Sequence, residues 1–497
     1  MKINKNIFRE YDIRGIAGIK FEPKVVAEYE KWYGPFPGTT INLETTKAIG
    51  MAYGTYVKRL GGKKVIVGFE IRPYAEQLKE AFIEGINDTG IDVFDAGIST
   101  TPIIYFLISH LKLDGGVNIT GSHNVYFYNG FKIMLKNTSP LYGEELQKLR
   151  KMIEDDDFDL SSIRGNREKM NNGYEIYKEF AVKNIKLKRK IRIVVDCGNG
   201  TPGLYVKDYF ESLGCELLEG LYLKPDAYFP NHVPDPESPK NLQMLSKRVK
   251  ELNADLGVGF DADGDRAGFV DENGNYISSD FLILLLARDI LSRNPHKKIL
   301  FDVKCSQLME EMIPQFGGIP LMHKTGHAPI KDSLRKDPDI VLGGEVSGHF
   351  FMAEEYYKID DGFYATAKIL EILSRSDSSF SSIFDFIPKR PRTPEIKLPC
   401  EDSIKFDIVN QVKKEMEKKY TVIDIDGARV MFDNKSWGLI RPSNTSPYLT
   451  IRFEAPTEAR LLELKNMFAD ILDKYKEIGD KLDRNNVTSL TGKLGYL

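Results

Sequence analysis

VIVGFEIR (residues 65–72), IRIVVDCGNG (191–200) and KILFDVKCS (298–306) share one form: an apolar, β-branched run that opens into a turn with a polar residue at its end. Each predicts a buried parallel strand, because a strand covered on both faces reads as a continuous apolar run rather than an alternation. After the first, Leu78, Phe82 and Ile86 fall four apart before a Thr89-Gly90 stop, which predicts a helix. Repeated strand-helix units imply α/β domains in tandem, three of them. The last hundred residues differ. Ile404, Ile408, Val412 and Met416 mark a helix, Leu449, Ile451 and Phe453 alternate as a strand, and Leu461, Leu464, Phe468 and Ile471 mark a closing helix. That pattern is a smaller α+β domain. Connections are expected in the acidic stretch 154–173, in DENGNYISSD (271–280) and in the Ser-rich, then Pro- and Arg-rich stretch 374–395. The domains are accordingly placed at 1–170, 171–275, 276–388 and 389–497.

A chain of 497 residues, 42% hydrophobic, has material for several cores. Its formal net charge of -3 offers no overall basic field for a nucleic acid or an anionic membrane, so phosphate binding must be local. Cys197, Cys215, Cys305 and Cys400 form no CxxC pair or zinc-ligand spacing, which fits a reducing compartment without disulfides. The opening MKINKNIFREYDIRG lacks the apolar core of a secretory signal, and the longest apolar run, Phe281 to Ala287, ends at Arg288 and Asp289. A cytoplasmic protein is expected.

Four motifs carry chemistry. Asp261-Ala-Asp263-Gly-Asp265-Arg266 follows the strand-like LGVGF, and alternation along an extended backbone would gather three carboxylates on one face. Such a group needs a cation, and oxygen-only ligands suit Mg²⁺ or Mn²⁺. Asp261, Asp263, Asp265 and Glu272 also match positions 1, 3, 5 and 12 of a calcium loop. Position 6, which needs Gly, is however Arg266, and a strand rather than a helix precedes it. A solvated acidic turn is the plain alternative. In ITGSHNVYFYNGFKIML (119–135), Ser122 lies in a polar turn after an apolar approach. No GxSxG elbow surrounds it, and the adjacent His123 is badly placed as the base of a triad; alone it reads as a turn serine. Gly343-Gly344-Glu345-Val346-Ser347-Gly348-His349 offers a carboxylate, a hydroxyl and an imidazole that could bind sugar hydroxyls, or a polar turn. Arg441-Pro-Ser443-Asn444-Thr445-Ser446 combines a guanidinium with hydroxyl and amide donors suited to a phosphate dianion, or forms a structural turn.

Taken in order, one per domain, these motifs resemble the α-D-phosphohexomutase superfamily, and within it the bacterial phosphomannomutase/phosphoglucomutase group. FREYDIRG, TGSHN with NGFK, DCGNG, FPNHVPDP, DADGDR, FDVKCS, KTGH, GGEVSGH and RPSNTSPYLTIRFE are each similar to a family segment. The resemblance implies three tandem mixed α/β domains plus a C-terminal α+β domain, TATA-binding-protein-like, around a central cleft. It implies that Ser122 is carried as phosphoserine and completes, with Asp261, Asp263 and Asp265, the coordination of Mg²⁺. It further implies reversible phosphoryl transfer between O1 and O6 of mannose or glucose phosphate. The route runs through a 1,6-bisphosphohexose, with glucose 1,6-bisphosphate as activator and intermediate. Arg441, Ser443, Asn444 and Thr445 would hold the unreactive phosphate, and Glu345 and Ser347 the sugar hydroxyls. Arg14, Lys132, Arg266 and His123 would lie at the reacting phosphoryl, and Tyr11, Lys304, His327 and His349 would contact substrate. A monomer is expected.

The sequence departs from the family at several points. The usual Pro after SHN is Val125, a common Met of the sugar loop is Val346, Glu70 stands where Asp is common, and residues 21–43, with Trp32, are longer than the family segment. Phosphoglucosamine mutase is the nearest alternative. A Mg²⁺-dependent sugar phosphatase and a non-catalytic sugar-phosphate sensor are alternatives from other classes.

Overall fold

The computed structural model describes residues 3–18, 21–23, 26–27, 29–30, 35–444, 447–478, 482 and 484, and within them the chain forms four sheets. The three apolar runs are the strands Lys64–Phe69, Arg192–Asp196 and Lys298–Asp302. Each has a parallel neighbour on both sides. Asp92–Ile98 and Gly115–Ile119 flank the first, Glu216–Leu221 and Leu256–Phe260 the second, and Ile319–His323 and Ile340–Gly344 the third. In all three sheets the latter neighbour turns back into an antiparallel strand: Tyr128–Leu135, Ala267–Asp271 and Phe350–Met352. The strand order of this unit is therefore repeated three times. The hairpin loops 120–127, 261–266 and 345–349 lie beyond the carboxyl ends of parallel strands, where α/β sheets place their ligands.

The fourth sheet is antiparallel throughout, in the order Ile396–Pro399, Tyr448–Glu454, Ser436–Pro442, Ala428–Asp433, Thr421–Ile423. Helices Lys405–Met416 and Glu458–Leu472 cover its apolar face, burying Ile408, Val412, Leu461, Leu464 and Phe468 at the expected spacing. Its opposite face abuts the third domain, where the buried Arg429 guanidinium donates to Val303 O at 2.6 Å and Cys305 O at 2.7 Å. The helix after the first strand, Ala75–Asp88, buries Leu78, Phe82 and Ile86, and ends where the Thr89 hydroxyl donates to Ile86 O at 2.7 Å.

The longest apolar run belongs to the helix Ser279–Arg293, buried from Ser279 to Ala287. It is apolar all round because it is enclosed all round. Together with the buried helix Thr101–His110 it joins one apolar cluster that includes Ile66, Val195, Phe260, Phe301 and Ile369, so the three α/β units share a core. No helix among the described residues is long and apolar enough to cross a membrane, and all four cysteines are buried thiols.

The expected connections are better ordered than their composition implies. Within 154–173, Arg167–Lys169 adds a parallel edge strand to the first sheet, and Arg167 reaches both Glu80 and Asp95 at 2.5 Å. Residues 271–280 form a tight hairpin turn into Tyr276–Ile277 and the start of the Ser279–Arg293 helix. The stretch 374–395 ends in buried Arg390, Arg392 and Thr393, with Arg392 3.4 Å from Asp280. Polar composition marks buried ion pairs as well as solvated linkers, and sequence alone does not separate them.

Asp361 caps the helix Gly362–Ser374, accepting from Tyr364 N at 2.9 Å and from the Tyr177 and Tyr356 hydroxyls at 2.9 and 2.6 Å. Burial raises its carboxyl to about 7. Folding then favours the protonated form, so its stabilising contribution is full below the ordinary Asp range and is lost as pH rises through about 7. Asp361→Asn keeps the cap and should flatten the fall in melting temperature between about pH 4 and 7. An equally steep fall in the variant would contradict the assignment.

Candidate active site

The DADGDR segment is a turn, not an extended strand. The hairpin pairs Phe260 with Ala267 and leaves residues 261–266 as its loop, with Gly264 at φ 77 between two aspartates. A Cβ at 264 would meet Phe363, Pro202 and Thr100 at 3.0 to 3.3 Å, so close packing and a left-handed φ both call for glycine. The alternation argument therefore predicts the right convergence by the wrong geometry. Asp261, Asp263 and Asp265 are fully buried, with one ligand oxygen from each lying within 4.8 Å of the others.

Asp263 Oδ2 accepts from the Thr101 and Thr120 hydroxyls and, at 2.8 Å, from Lys132 Nζ, while its Oδ1 is buried without a partner. Asp265 likewise binds Lys132 through Oδ2 and leaves Oδ1 unpartnered. Burial, and then the carboxylates of Asp263 and Asp265, push the Asp261 carboxyl well above its ordinary range. Orphaned buried oxygens and excess negative charge together fit a hard divalent cation. Glu272 points elsewhere, accepting from Ser381 N at 3.0 Å, so the calcium-loop alternative loses its twelfth-position ligand.

Ser122 closes the approach from the first domain. Its Oγ lies 3.3 Å from Asp261 Oδ2 and 3.4 Å from His123 Nδ1, and its backbone has φ 52, an unfavourable region for a side chain with Cβ. Buried Arg72 holds the loop in that shape by donating to the carbonyls of Ser122, Asn124, Val125 and Tyr128. Arg72 is paired in turn with buried Glu70, which also accepts from Gly121 N at 2.7 Å. The longer first-domain segment bears on the same loop. Phe21, Tyr29 and Phe36 all place their rings 6.2 to 6.4 Å from that of Phe127. Trp32 and other parts of 21–43 lie outside the described residues.

The expected cleft residues are brought together. Tyr11, Arg14, Ser122, His123, Lys132, Arg266, Lys304, His327, Glu345, Ser347, His349, Arg441, Ser443 and Asn444 line one cavity. Thr445 lies outside the described residues. The cavity is drawn from all four sheets, and Tyr11 ties three of them: its hydroxyl donates to Thr325 O at 2.7 Å and accepts from Asn444 Nδ2 at 2.6 Å. Glu345 accepts from Gly326 N at 2.6 Å, and burial raises its carboxyl. His327 accepts from Lys331 Nζ at Nδ1 (3.1 Å), which leaves Nε2–H as its donor. His349 is mostly covered, its Nε2 accepting from Arg266 Nε at 2.9 Å and its Nδ1 3.1 Å from Asp360, so it orients Arg266 from behind. Burial, followed by Arg266 and Lys397, pushes His123 well below its ordinary pKa, so its imidazole is neutral.

Sequence reasoning missed the support beneath these groups, although a signal for it was present. The polar residue ending each apolar strand fixes a loop: Glu70 accepts from Gly121 N and Asp302 from Val346 N at 3.3 Å on the neighbouring hairpin loops, and Asp196 accepts from Gly198 N at 2.8 Å in its own turn. Asp426, 3.0 Å from Arg441, and Glu395, 2.9 Å from Lys304, sit in segments with no motif and became visible only in the fold.

Comparison with known proteins agrees with this architecture. The models of phosphoglucomutase/phosphomannomutase alpha/beta/alpha domains I, II and III match residues 5–160, 174–274 and 278–390, and that of the C-terminal domain matches 395–471. The phosphomannomutase/phosphoglucomutase of Pseudomonas putida is 39% identical over 464 residues, covering 93% of this chain and 94% of the relative. The phosphoglucomutase of Neisseria gonorrhoeae is 39% identical over 475 residues, covering 95% and 97%. A crystal structure of a phosphoglucomutase/phosphomannomutase family protein from Burkholderia thailandensis superposes with TM-score 0.85 at 35% identity, covering 97% of this chain and all of that one. With all four domain models matched along its length, the chain belongs to the phosphoglucomutase/phosphomannomutase family.

Proposed function

We infer that the chain transfers a phosphoryl group reversibly between O1 and O6 of a mannose or glucose phosphate through phosphorylated Ser122, with Mg²⁺ at the three aspartates. The observation that carries this reading is that Ser122 Oγ, 3.3 Å from Asp261, lines the same cavity as Arg441, Ser443 and Asn444. On this reading a phosphoryl acceptor and an anion pocket share one cavity. Family membership and the names of the Pseudomonas and Neisseria relatives support a mutase of glucose and mannose phosphates over phosphoglucosamine mutase.

In the first half-reaction the bond from phosphorus to Ser122 Oγ breaks as one forms to the free sugar hydroxyl, giving a 1,6-bisphosphohexose. The sugar then reverses, and its other phosphate returns to Ser122. Asp261, Asp263 and Asp265 would hold Mg²⁺, which when bound would supply charge withdrawal at the phosphoryl oxygens. Lys132 is kept protonated by Asp263 and Asp265 despite burial, and with Arg14 and Arg266 it supplies positive charge at the transferring group. Neutral His123, with Nδ1 3.4 Å from Ser122 Oγ, takes the serine proton when Ser122 is rephosphorylated. Glu345 and Ser347 bind adjacent hydroxyls in either orientation, and Arg441, Ser443, Asn444 and Thr445 hold the unreactive phosphate. Glucose 1,6-bisphosphate primes the serine. We take the acting form to be a cytoplasmic monomer.

Two outcomes are expected. With Mg²⁺ and a trace of glucose 1,6-bisphosphate, glucose 1-phosphate and mannose 1-phosphate should yield their 6-phosphates without phosphate release, and Ser122→Ala should lower the rate by at least about a thousandfold. Phosphate as the main product, or an active Ser122→Ala chain, would contradict the reading. Mg²⁺ should raise the melting temperature of the wild-type chain and chelator should reverse this, whereas Asp261→Asn should respond far less. Equal shifts in both chains would place the cation elsewhere.

A further inference from the structure

Lys331 and Asp360 form an ion pair behind the wall of the cleft. Both are fully buried and neither lines the cavity, and Lys331 Nζ lies 2.7 Å from Asp360 Oδ1. A buried pair of this kind adds little net stability over apolar side chains of the same shape. Its remaining polar atoms face the two cleft histidines. Lys331 follows His327 by one turn of the helix His327–Lys336, a spacing that puts both side chains on one face, and its Nζ is 3.1 Å from His327 Nδ1. The Tyr105 ring, from the helix Thr101–His110, closes off the ammonium with its centroid at 4.5 Å. Asp360 lies in the strand Ile359–Asp360, opposite Phe351 of the strand that follows His349, and its Oδ2 is 3.1 Å from His349 Nδ1. Those two atoms are sealed from solvent, and neither has a hydrogen bond to a third group among the described residues. The next carboxylate oxygen near His349 Nδ1, Asp265 Oδ1, is at 3.7 Å.

These partners decide where the imidazole protons sit. An ammonium only donates, so His327 Nδ1 is a lone pair and its proton is on Nε2. A carboxylate only accepts, so the His349 proton is on Nδ1, and its Nε2 is free to accept from Arg266 Nε at 2.9 Å. One ion pair thus sets opposite tautomers in two rings whose centroids are 6.0 Å apart. In its other tautomer His349 would turn Nε2–H toward Arg266 Nε–H, donor against donor, and release the guanidinium.

We propose that Lys331 and Asp360 are positioning residues: by fixing opposite tautomers, they make His327 offer Nε2–H to a ligand in the cleft and make His349 hold Arg266 toward the transferring phosphoryl. The part played by Arg266 rests on the mutase reading above. Asp360→Asn inverts the constraint with little change of shape, because the amide oxygen keeps Lys331 while its N–H₂ faces His349 Nδ1.

The test is long-range ¹H–¹⁵N spectroscopy of the chain labelled at its seven histidines, with Mg²⁺ present and with signals assigned through His327→Gln and His349→Gln chains. Wild type should show His327 protonated at Nε2 and His349 at Nδ1. Asp360→Asn should move the His349 proton to Nε2 and leave His327 unchanged. It should also lower kcat at least about tenfold with KM for glucose 1-phosphate within about twofold, since Arg266 acts on the transferring group and the ground-state phosphate is held elsewhere. If Asp360→Asn does not fold, Lys331→Met/Asp360→Asn, which leaves no buried charge unpaired, should shift both rings from their wild-type tautomers. His349 protonated at Nε2 in wild type, or wild-type tautomers and kcat in the variants, would overturn the proposal. Loss of the Mg²⁺-dependent rise in melting temperature in Asp360→Asn would also overturn it, by making Asp360 a cation ligand. Both assigned tautomers in a wild-type chain without mutase activity would overturn the mutase reading and leave the hold on the imidazoles standing.

Discussion

Three carboxylates buried together on one six-residue hairpin loop are the constraint around which the rest of the molecule is arranged. Such a group repels itself and is expensive to desolvate, so it persists only with opposite charge and rigid walls. Lys132, from the first domain, supplies charge to two of the three. The walls come from every α/β unit: Thr101 N donates to Asp263 O at 2.9 Å, Thr201 N to Ala262 O at 2.9 Å, Gly362 N to Gly264 O at 3.2 Å and Ala267 N to Gly348 O at 3.1 Å. The loop is thus a junction whose geometry needs the first three domains packed as one body. Their shared apolar cluster provides that packing.

The threefold repetition of one topological unit explains how a single cleft acquires different chemistries. In each α/β sheet the functional loop closes a hairpin after the same strand, giving the Ser122 loop, the aspartate loop and the Glu345 loop. The fourth sheet offers its own hairpin loop after Pro442, where Ser443 and Asn444 lie near Tyr11. The proposed reaction, in which the substrate reverses between half-reactions, needs one fixed anion pocket and one fixed reacting end, and the proposal assigns them to the loop after Pro442 and to the Ser122 loop. At the latter, the left-handed backbone of Ser122 is held by Arg72 with Glu70, and aromatic rings pack on Phe127, with Val125 in the turn.

Much of this was legible in the sequence. The apolar runs at 65, 191 and 298 are central parallel strands because burial on both faces leaves a compositional mark, and the spaced motifs name the residues that meet in the cleft. What stayed hidden depends on long-range placement. The DADGDR segment reads as an extended strand until its hairpin partner is known, and Arg167 reads as linker until Asp95 is seen beside it. Lys331 reads as one lysine among many until the fold brings Asp360 to its ammonium. Ion pairs between distant segments leave no periodicity to read.

The central claim is that Ser122 carries the phosphoryl group between substrate and product. Its most direct test is to incubate the chain with glucose 1,6-bisphosphate bearing isotopically labelled phosphate, remove the sugar, and map the label by peptide mass spectrometry. It is then chased with unlabelled glucose 1-phosphate. The account predicts label on the peptide containing Ser122, discharged by the chase into glucose bisphosphate and glucose 6-phosphate. Label on another residue, or label on Ser122 that the sugar phosphate does not discharge, would contradict it.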